Sequence, residues 1–201
     1  MVNAQQPILL TLHAVRLLGF ADTEPVAARF RQDPDDVEQC LIAAGANGWA
    51  HRTSFGGARG WSLTVAGRKE NERLLEEELN IAGGHPALIG VHADFAPLNE
   101  QVVAACSKLQ LQWLSAGHRP GDGIAEQTEQ TFKPALTSLR DLEARLIAVL
   151  PRFSGYTKRL EKALANAATE PAWLTATDRD SFHRVWFELH EDLIATLGIR
   201  R

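Results

Sequence analysis

Gly48-Trp49-Ala50-His51-Arg52-Thr53-Ser54-Phe55-Gly56-Gly57-Ala58-Arg59-Gly60-Trp61-Ser62-Leu63-Thr64-Val65-Ala66-Gly67-Arg68 is the stretch whose reading decides the fold. Two short β-rich runs, 49–54 and 61–63, flank a glycine-rich centre, the pattern of a hairpin. Gly56, Gly57 and Gly60 are expected to take the positive φ values that a tight turn needs. Thr64 then opens a helix, its hydroxyl accepting from an orphan N–H of the first turn. The local signature is Leu63-Thr64-x-x-Gly67-Arg68.

Upstream, three short helices are expected. Residues 7–20 carry Leu9, Leu10, Leu12, Val15, Leu17 and Leu18, a broad apolar face at helical spacing. Thr23-Glu24-Pro25 opens the second, with proline in the first turn where its missing N–H costs nothing. Asp33-Pro34-x-Asp36 opens the third in the same way, and Gly45 stops it. Three helices followed by such a hairpin read as a winged helix-turn-helix, whose commonest use is DNA binding.

Downstream, a helix over 65–80 carries Leu74, Leu75 and Leu79 on one side. Ile81-Ala82-Gly83-Gly84-His85-Pro86-Ala87 breaks the pattern, so 81–90 reads as a linker between an N-terminal domain (1–80) and a helical domain (91–201). The second half shows helical periodicity over 92–114, 128–150, 156–167 and 181–197, consistent with a helical bundle. The expected fold is therefore mainly α with a small β-hairpin wing.

Composition narrows the function. With 201 residues and 45% hydrophobic content, the chain has the material for one or two cores. No run approaches the ~18 apolar residues of a membrane span. The opening Met1-Val2-Asn3-Ala4-Gln5-Gln6-Pro7 has no basic region, so no signal peptide is expected. Cys40 and Cys106, both in helical patterns, do not form a disulfide framework, and a cytoplasmic location fits.

The net charge is −4. Up to Leu79 there are 8 basic residues against 11 acidic ones, in the very segment that would meet phosphate. The third helix is the sharpest departure. Val37, Cys40, Leu41 and Ala44 fall on its inner face, leaving Asp35, Glu38, Gln39 and Ile42 outward. No Lys or Arg lies between Gln32 and Gly48. Gln39 suits adenine, and Arg29, Arg31, Arg52 and Arg59 are the candidate phosphate contacts. Affinity for DNA rests mainly on neutralised phosphates, so the acidic helix works against DNA as a partner. Two readings stand: a weak or highly sequence-selective DNA binder, or a winged helix used as a packing or protein-docking module.

The segment 181–198 is the densest in aromatic residues. At 100° per residue, Trp186, Phe187, Leu189, Leu193, Ile194 and Leu197 share one face, with His183 and His190 near its middle. Arg184, Glu188, Glu191 and Asp192 lie opposite and are expected to meet water. A buried imidazole needs a partner, and Asn99, Ser107 and Gln110 are the polar candidates on a facing helix. Either these groups simply satisfy one another, or they line an effector pocket with Asn99, Cys106 and Gln110 on one wall and His183, Trp186 and His190 on the other.

No metal or cofactor is expected. His183 and His190 stand ~10.5 Å apart along a helix axis, too far to share an ion. The chain has no His-Glu-x-x-His, no Gly-x-Ser-x-Gly elbow, no P-loop and no dinucleotide fingerprint. Cys106 reads as a core thiol, and an enzyme is not expected.

The first eighty residues resemble the winged-helix modules of MarR- and PadR-like bacterial regulators, on the helix order, the glycine-rich wing and Leu63-Thr64-x-x-Gly67-Arg68. The second half is similar to the helical domain of actinobacterial proteins labelled MarR-like. That likeness rests on Phe95-x-x-Leu98-Asn99, Cys106, Gln110, Phe153-Ser154-Gly155-Tyr156 and Phe182-His183-x-x-Trp186-Phe187-Glu188-Leu189-His190-Glu191-Asp192-Leu193. The resemblance implies a homodimeric transcriptional regulator with a helical domain for dimerisation or effector sensing. The alternative is a protein-interaction adaptor that does not bind DNA.

Overall fold

The structure is a computed structural model that describes residues 6–115, 117 and 119–199, without the side chains of Phe55 and Ala58. Residues 1–5, most of the stretch read for a signal peptide, lie outside it. The described residues are mainly helical and carry one two-stranded antiparallel sheet. They divide into two compact units, one reaching to Ile81 and taking in Gly198, the other Ala82–Leu197.

In the first unit, α1 (Gln6–Leu18), α2 (Thr23–Arg29) and α3 (Pro34–Ala46) pack on one another. Helices α2 and α3 start at the positions read from the sequence, although the cap of α2 is Asp22, which that reading did not single out. Asp22 caps α2 through the Thr23 N–H, and Asp33 caps α3 through the N–H groups of Asp35 and Asp36. Leu12, Val15, Val26, Val37, Leu41 and Ala44 close the core between them. On α3 the inner face is Val37, Leu41 and Ala44, while Cys40 is only half-buried.

The hairpin follows as β1 (Ala50–Phe55) and β2 (Ala58–Leu63), in register from Ala50↔Leu63 to Phe55↔Ala58. Its turn is shorter than expected. Only Gly56 (φ 57°) and Gly57 (φ 84°) form it, the two positive-φ positions of a two-residue hairpin loop. Gly60 instead sits within β2 without positive φ, for a different reason: a Cβ there would lie 2.8 Å from the Phe20 ring. A single bridge from Ala21 to Trp61 adds a third edge beside β2.

The Leu-Thr-x-x-Gly motif has a clear physical role. Thr64 Oγ1 donates to the Gly48 carbonyl at 2.6 Å and accepts from the Gly67 N–H at 3.0 Å. This fixes the start of α4 (Val65–Ala82) to the chain entering the hairpin. Gly67 must be glycine because a Cβ would fall 1.8 Å from the Trp49 carbonyl oxygen.

The expected ten-residue linker contracts to Gly83 and Gly84. Helix α5 (His85–Leu114) starts seven residues earlier than periodicity placed it, with Pro86 in its first turn and Pro97 tolerated inside. The rest of the second unit comprises α6 (Ile124–Gln127), a π turn (Thr128–Phe132), α7 (Lys133–Val149), a 3-10 turn (Pro151–Phe153), α8 (Tyr156–Ala167), α9 (Ala172–Thr175) and α10 (Phe182–Thr196). Helix α10 packs on α5, α8 and α9, and α7 packs on α5 and α8. A line of rings runs through this core. Phe132 meets Phe182 at 4.8 Å, Phe182 stacks on Trp186 at 6.0 Å, and Trp186 stacks on Phe95 at 5.2 Å. Among the described residues no helix is long and apolar enough to cross a membrane.

Candidate functional site

The first candidate surface is the exposed side of α3 with the hairpin beside it. Asp35, Gln39 and Ile42 are exposed, as the helical wheel predicts, and Glu38 is half-buried. Arg31 and Arg59 are exposed. Arg29 is half-buried, its guanidinium 4.4 Å from the centre of the Phe30 ring.

Arg52 is not an unengaged cation. Its Nη1 lies 3.2 Å from Glu38 Oε1 and its Nη2 lies 3.3 Å from Asp22 Oδ1. The Thr23 hydroxyl donates to the other oxygen of Glu38, and the Trp61 ring lies under the guanidinium at 5.5 Å. The α2 cap, α3 and β1 thus meet at one arginine, with two carboxylates to one positive charge. Sequence spacing gives no hint of this triad, whose members stand 14 to 30 residues apart.

The second candidate region is the wall of α10. The structure brings two of the expected pocket residues together: the Trp186 indole N–H donates to Asn99 Oδ1 at 3.0 Å. His190 is half-buried, its ring 5.9 Å from Phe95. His183 is also half-buried, and desolvation holds its pKa below the ordinary imidazole value. Cys106 is buried, and burial pushes its thiol up to about 12. It is a neutral core thiol at any ordinary pH. Cys40 is raised too, first by burial and then by the charge of Asp36, against a lowering contact with Thr11.

Gln110 does not join this group. It is exposed and lines, with Ser107, Leu111, Trp113, Leu114 and Pro120, an open groove of about 720 Å³ at the end of α5. The expected wall of Asn99, Cys106 and Gln110 is therefore split. Asn99 and Cys106 belong to the inner side of α5, whereas Ser107 and Gln110 face outward.

The largest departure concerns the polar side of α10. Glu188 and Asp192, expected in water, are 2% and 0% exposed, while Phe187, expected inside, is 49% exposed. A helical wheel ranks faces by apolarity and cannot see that α8 and the turn before it supply arginines. Asp192 Oδ1 receives Arg152 Nη1 at 2.5 Å, and Asp192 Oδ2 accepts the Tyr156 hydroxyl at 2.8 Å. Arg152 also donates to Thr196 Oγ1 at 2.7 Å. Glu188 takes both Nη atoms of Arg159 at 2.8 Å, and Asp180 holds the same guanidinium from its other side. Burial alone would lower the Arg159 pKa, but these two carboxylates hold it above its usual value.

Glu143 completes the set. Its carboxylate accepts from the N–H groups of Gly155, Tyr156 and Thr157 at 2.6, 2.8 and 3.1 Å. An anion therefore satisfies the orphan donors at the start of α8, where the helix dipole favours it. Together these groups tie α7, α8 and α10 to one another. Two sequence signals were available: Glu188 and Asp192 at i, i+4, and the Arg152-Phe-Ser-Gly-Tyr156 run.

Among the described residues no three His, Cys, Asp or Glu side chains converge as a metal site. No family model, no curated protein and no solved structure matches the chain.

Proposed function

We propose that the first unit is a winged helix-turn-helix and that the protein is a DNA-binding regulator, its helical second unit serving for dimerisation or effector sensing. The observation that carries this reading is the connection between α2 and α3. Residues 30–33 form a four-residue turn with Arg31 in the left-handed region (φ 55°), the turn length of a DNA-reading helix pair. The hairpin, extended by the Ala21 bridge, then supplies the wing. In this reading α3 offers Gln39 to base edges, while Arg29, Arg31 and Arg59 meet phosphates. A homodimer doubles those contacts and matches a palindromic operator.

A second reading, a winged module that docks protein, draws support from one specific feature: the ion-paired state of Arg52 beside an acidic α3. DNA binding separates the two. In fluorescence anisotropy with duplexes selected from a random pool, a regulator binds a selected sequence at about 50 mM salt and loses affinity steeply by about 200 mM. Arg59→Ala weakens that binding across sequences, and Gln39→Ala relaxes its selectivity. Enrichment of no sequence at low salt overturns the DNA reading in favour of docking.

A further inference from the structure

We infer that Asp22 and Glu38 act as an internal phosphate mimic that holds Arg52 away from nucleic acid, so that contact of Arg52 with DNA requires exchange of two carboxylates for a phosphate. The inference rests on the DNA-binding reading and specifies how its surface is gated.

The geometry is that of an occupied anion site. A guanidinium presents its two terminal nitrogens as a planar fork that fits the oxygens of a phosphate or a carboxylate. Here one nitrogen goes to Glu38 at 3.2 Å and the other to Asp22 at 3.3 Å. Both carboxylates are independently fixed. Asp22 accepts the Thr23 N–H as the α2 cap, and Glu38 accepts the Thr23 hydroxyl. The stem of Arg52 is held as well, since Trp61 is its cross-strand partner and lies under the guanidinium.

The clamp is nonetheless displaceable. The Arg52 side chain is 45% exposed, Asp22 50% and Glu38 29%, and ion pairs reached by water are weak and screened by salt. A DNA backbone, with its dense phosphate charge, is the competitor that can displace them, whereas an isolated anion at ordinary concentration is not. The clamp thus sets a threshold: non-specific encounters leave Arg52 on its carboxylates. A well-fitted site, with α3 already seated, recruits it.

Charge removal without loss of shape tests this. Asp22→Asn keeps a capping side chain and Glu38→Gln keeps the length of its parent. In anisotropy titrations of the full chain against random-sequence duplex DNA at low salt, each should bind about three- to tenfold tighter than the parent. Their log K against log salt should be steeper by about one, for one further phosphate contact. Arg52→Ala should change the parent little but erase the gain in both variants. Parental binding with no gain in either variant overturns the clamp and leaves the DNA reading standing. A gain that survives Arg52→Ala also overturns it, because the effect is then bulk charge. Binding by none of the proteins, with helix and hairpin content intact by circular dichroism, overturns the clamp and the DNA reading together.

Discussion

The two units solve the same problem, polar groups among packed helices, in opposite ways. The first buries Thr11, His13 and Asn71, with His13 Nδ1 3.4 Å from Asn71 Oδ1. Several of its ion pairs lie at the surface, as in Arg52 with Asp22 and Arg73 with Glu70 and Glu77. The second takes full charges inside: Arg152 with Asp192, Arg159 with Glu188, and Glu143 on the start of α8. A buried ion pair is costly to form and more costly to break halfway. The second unit has therefore committed its charges to holding one arrangement of α7, α8 and α10. The first keeps charges where a partner can compete for them.

The largest test of this contrast is Asp192→Ala. It takes the Asp192 carboxylate away from the Arg152 guanidinium, whose side chain is 4% exposed, and removes the acceptor of the Tyr156 hydroxyl. A loss of about 3–5 kcal/mol in the stability of the second unit is expected. Urea unfolding followed through Trp186 reads it. Adding Arg152→Met should return much of the loss, since a well-packed apolar replacement often matches a buried pair. A cost below about 1 kcal/mol for Asp192→Ala would show that the pair is solvated in practice, and the contrast between the units would collapse.

In the first unit, sterics rather than charge should dominate. Gly67→Ala places a methyl 1.8 Å from the Trp49 carbonyl, and backbone cannot yield as a side-chain tip can. The expected cost is about 2–3 kcal/mol even though alanine favours the helix by about 1 kcal/mol. Gly56→Ala is the control, because nothing lies within 4 Å of its added carbon and only its φ of 57° resists. It should cost about half as much. If the two substitutions cost the same in thermal unfolding, the Thr64–Gly67 junction is not what holds α4 to the hairpin.

A milder effect is expected at His183. Desolvation lowers its folded pKa, so below the ordinary value near 6.5 the unfolded chain takes up the proton first. Stability should therefore be intact at pH 7 and decline as pH falls below the ordinary imidazole value. In His183→Gln that part of the decline should vanish. A decline of the same size in parent and variant would assign it to other groups.

Much of the first unit was legible because its signals are local. Asp33 and Thr64 each act within three residues of themselves, and helical spacing places Val37, Leu41 and Ala44 inside, though Cys40, read with them, is only half-buried. The misreadings share one cause. Gly60, Glu188, Asp192 and Gln110 are decided by what surrounds them from elsewhere: Phe20, Arg159, Arg152 and, at Gln110, an open groove. A face predicted from one helix is a statement about one partner. Helix α10 has three, so its polar stripe met arginines rather than water. The linker failed for a related reason, since two glycines suffice to end α4 and Pro86 is welcome in the first turn of α5.

The smallest expected effect is the one that best separates stability from function. Arg52→Ala removes the centre of a three-residue ion cluster in the first unit, yet its stability should shift by less than about 1 kcal/mol. The reason is exposure: with Arg52 45% and Asp22 50% open to water, solvent already screens the attraction, and ordering a long side chain offsets what remains. The loss of the ring contact with Trp61 adds little, because Trp61 is itself 6% exposed and stays covered by its neighbours. Urea titrations at low and high salt should give nearly the same midpoint for parent and variant. A loss approaching that of Asp192→Ala would mean that Arg52 pins the hairpin to α3 as firmly as Arg152 pins α10. The cluster would then be a lock of the kind found in the second unit, not a displaceable clamp.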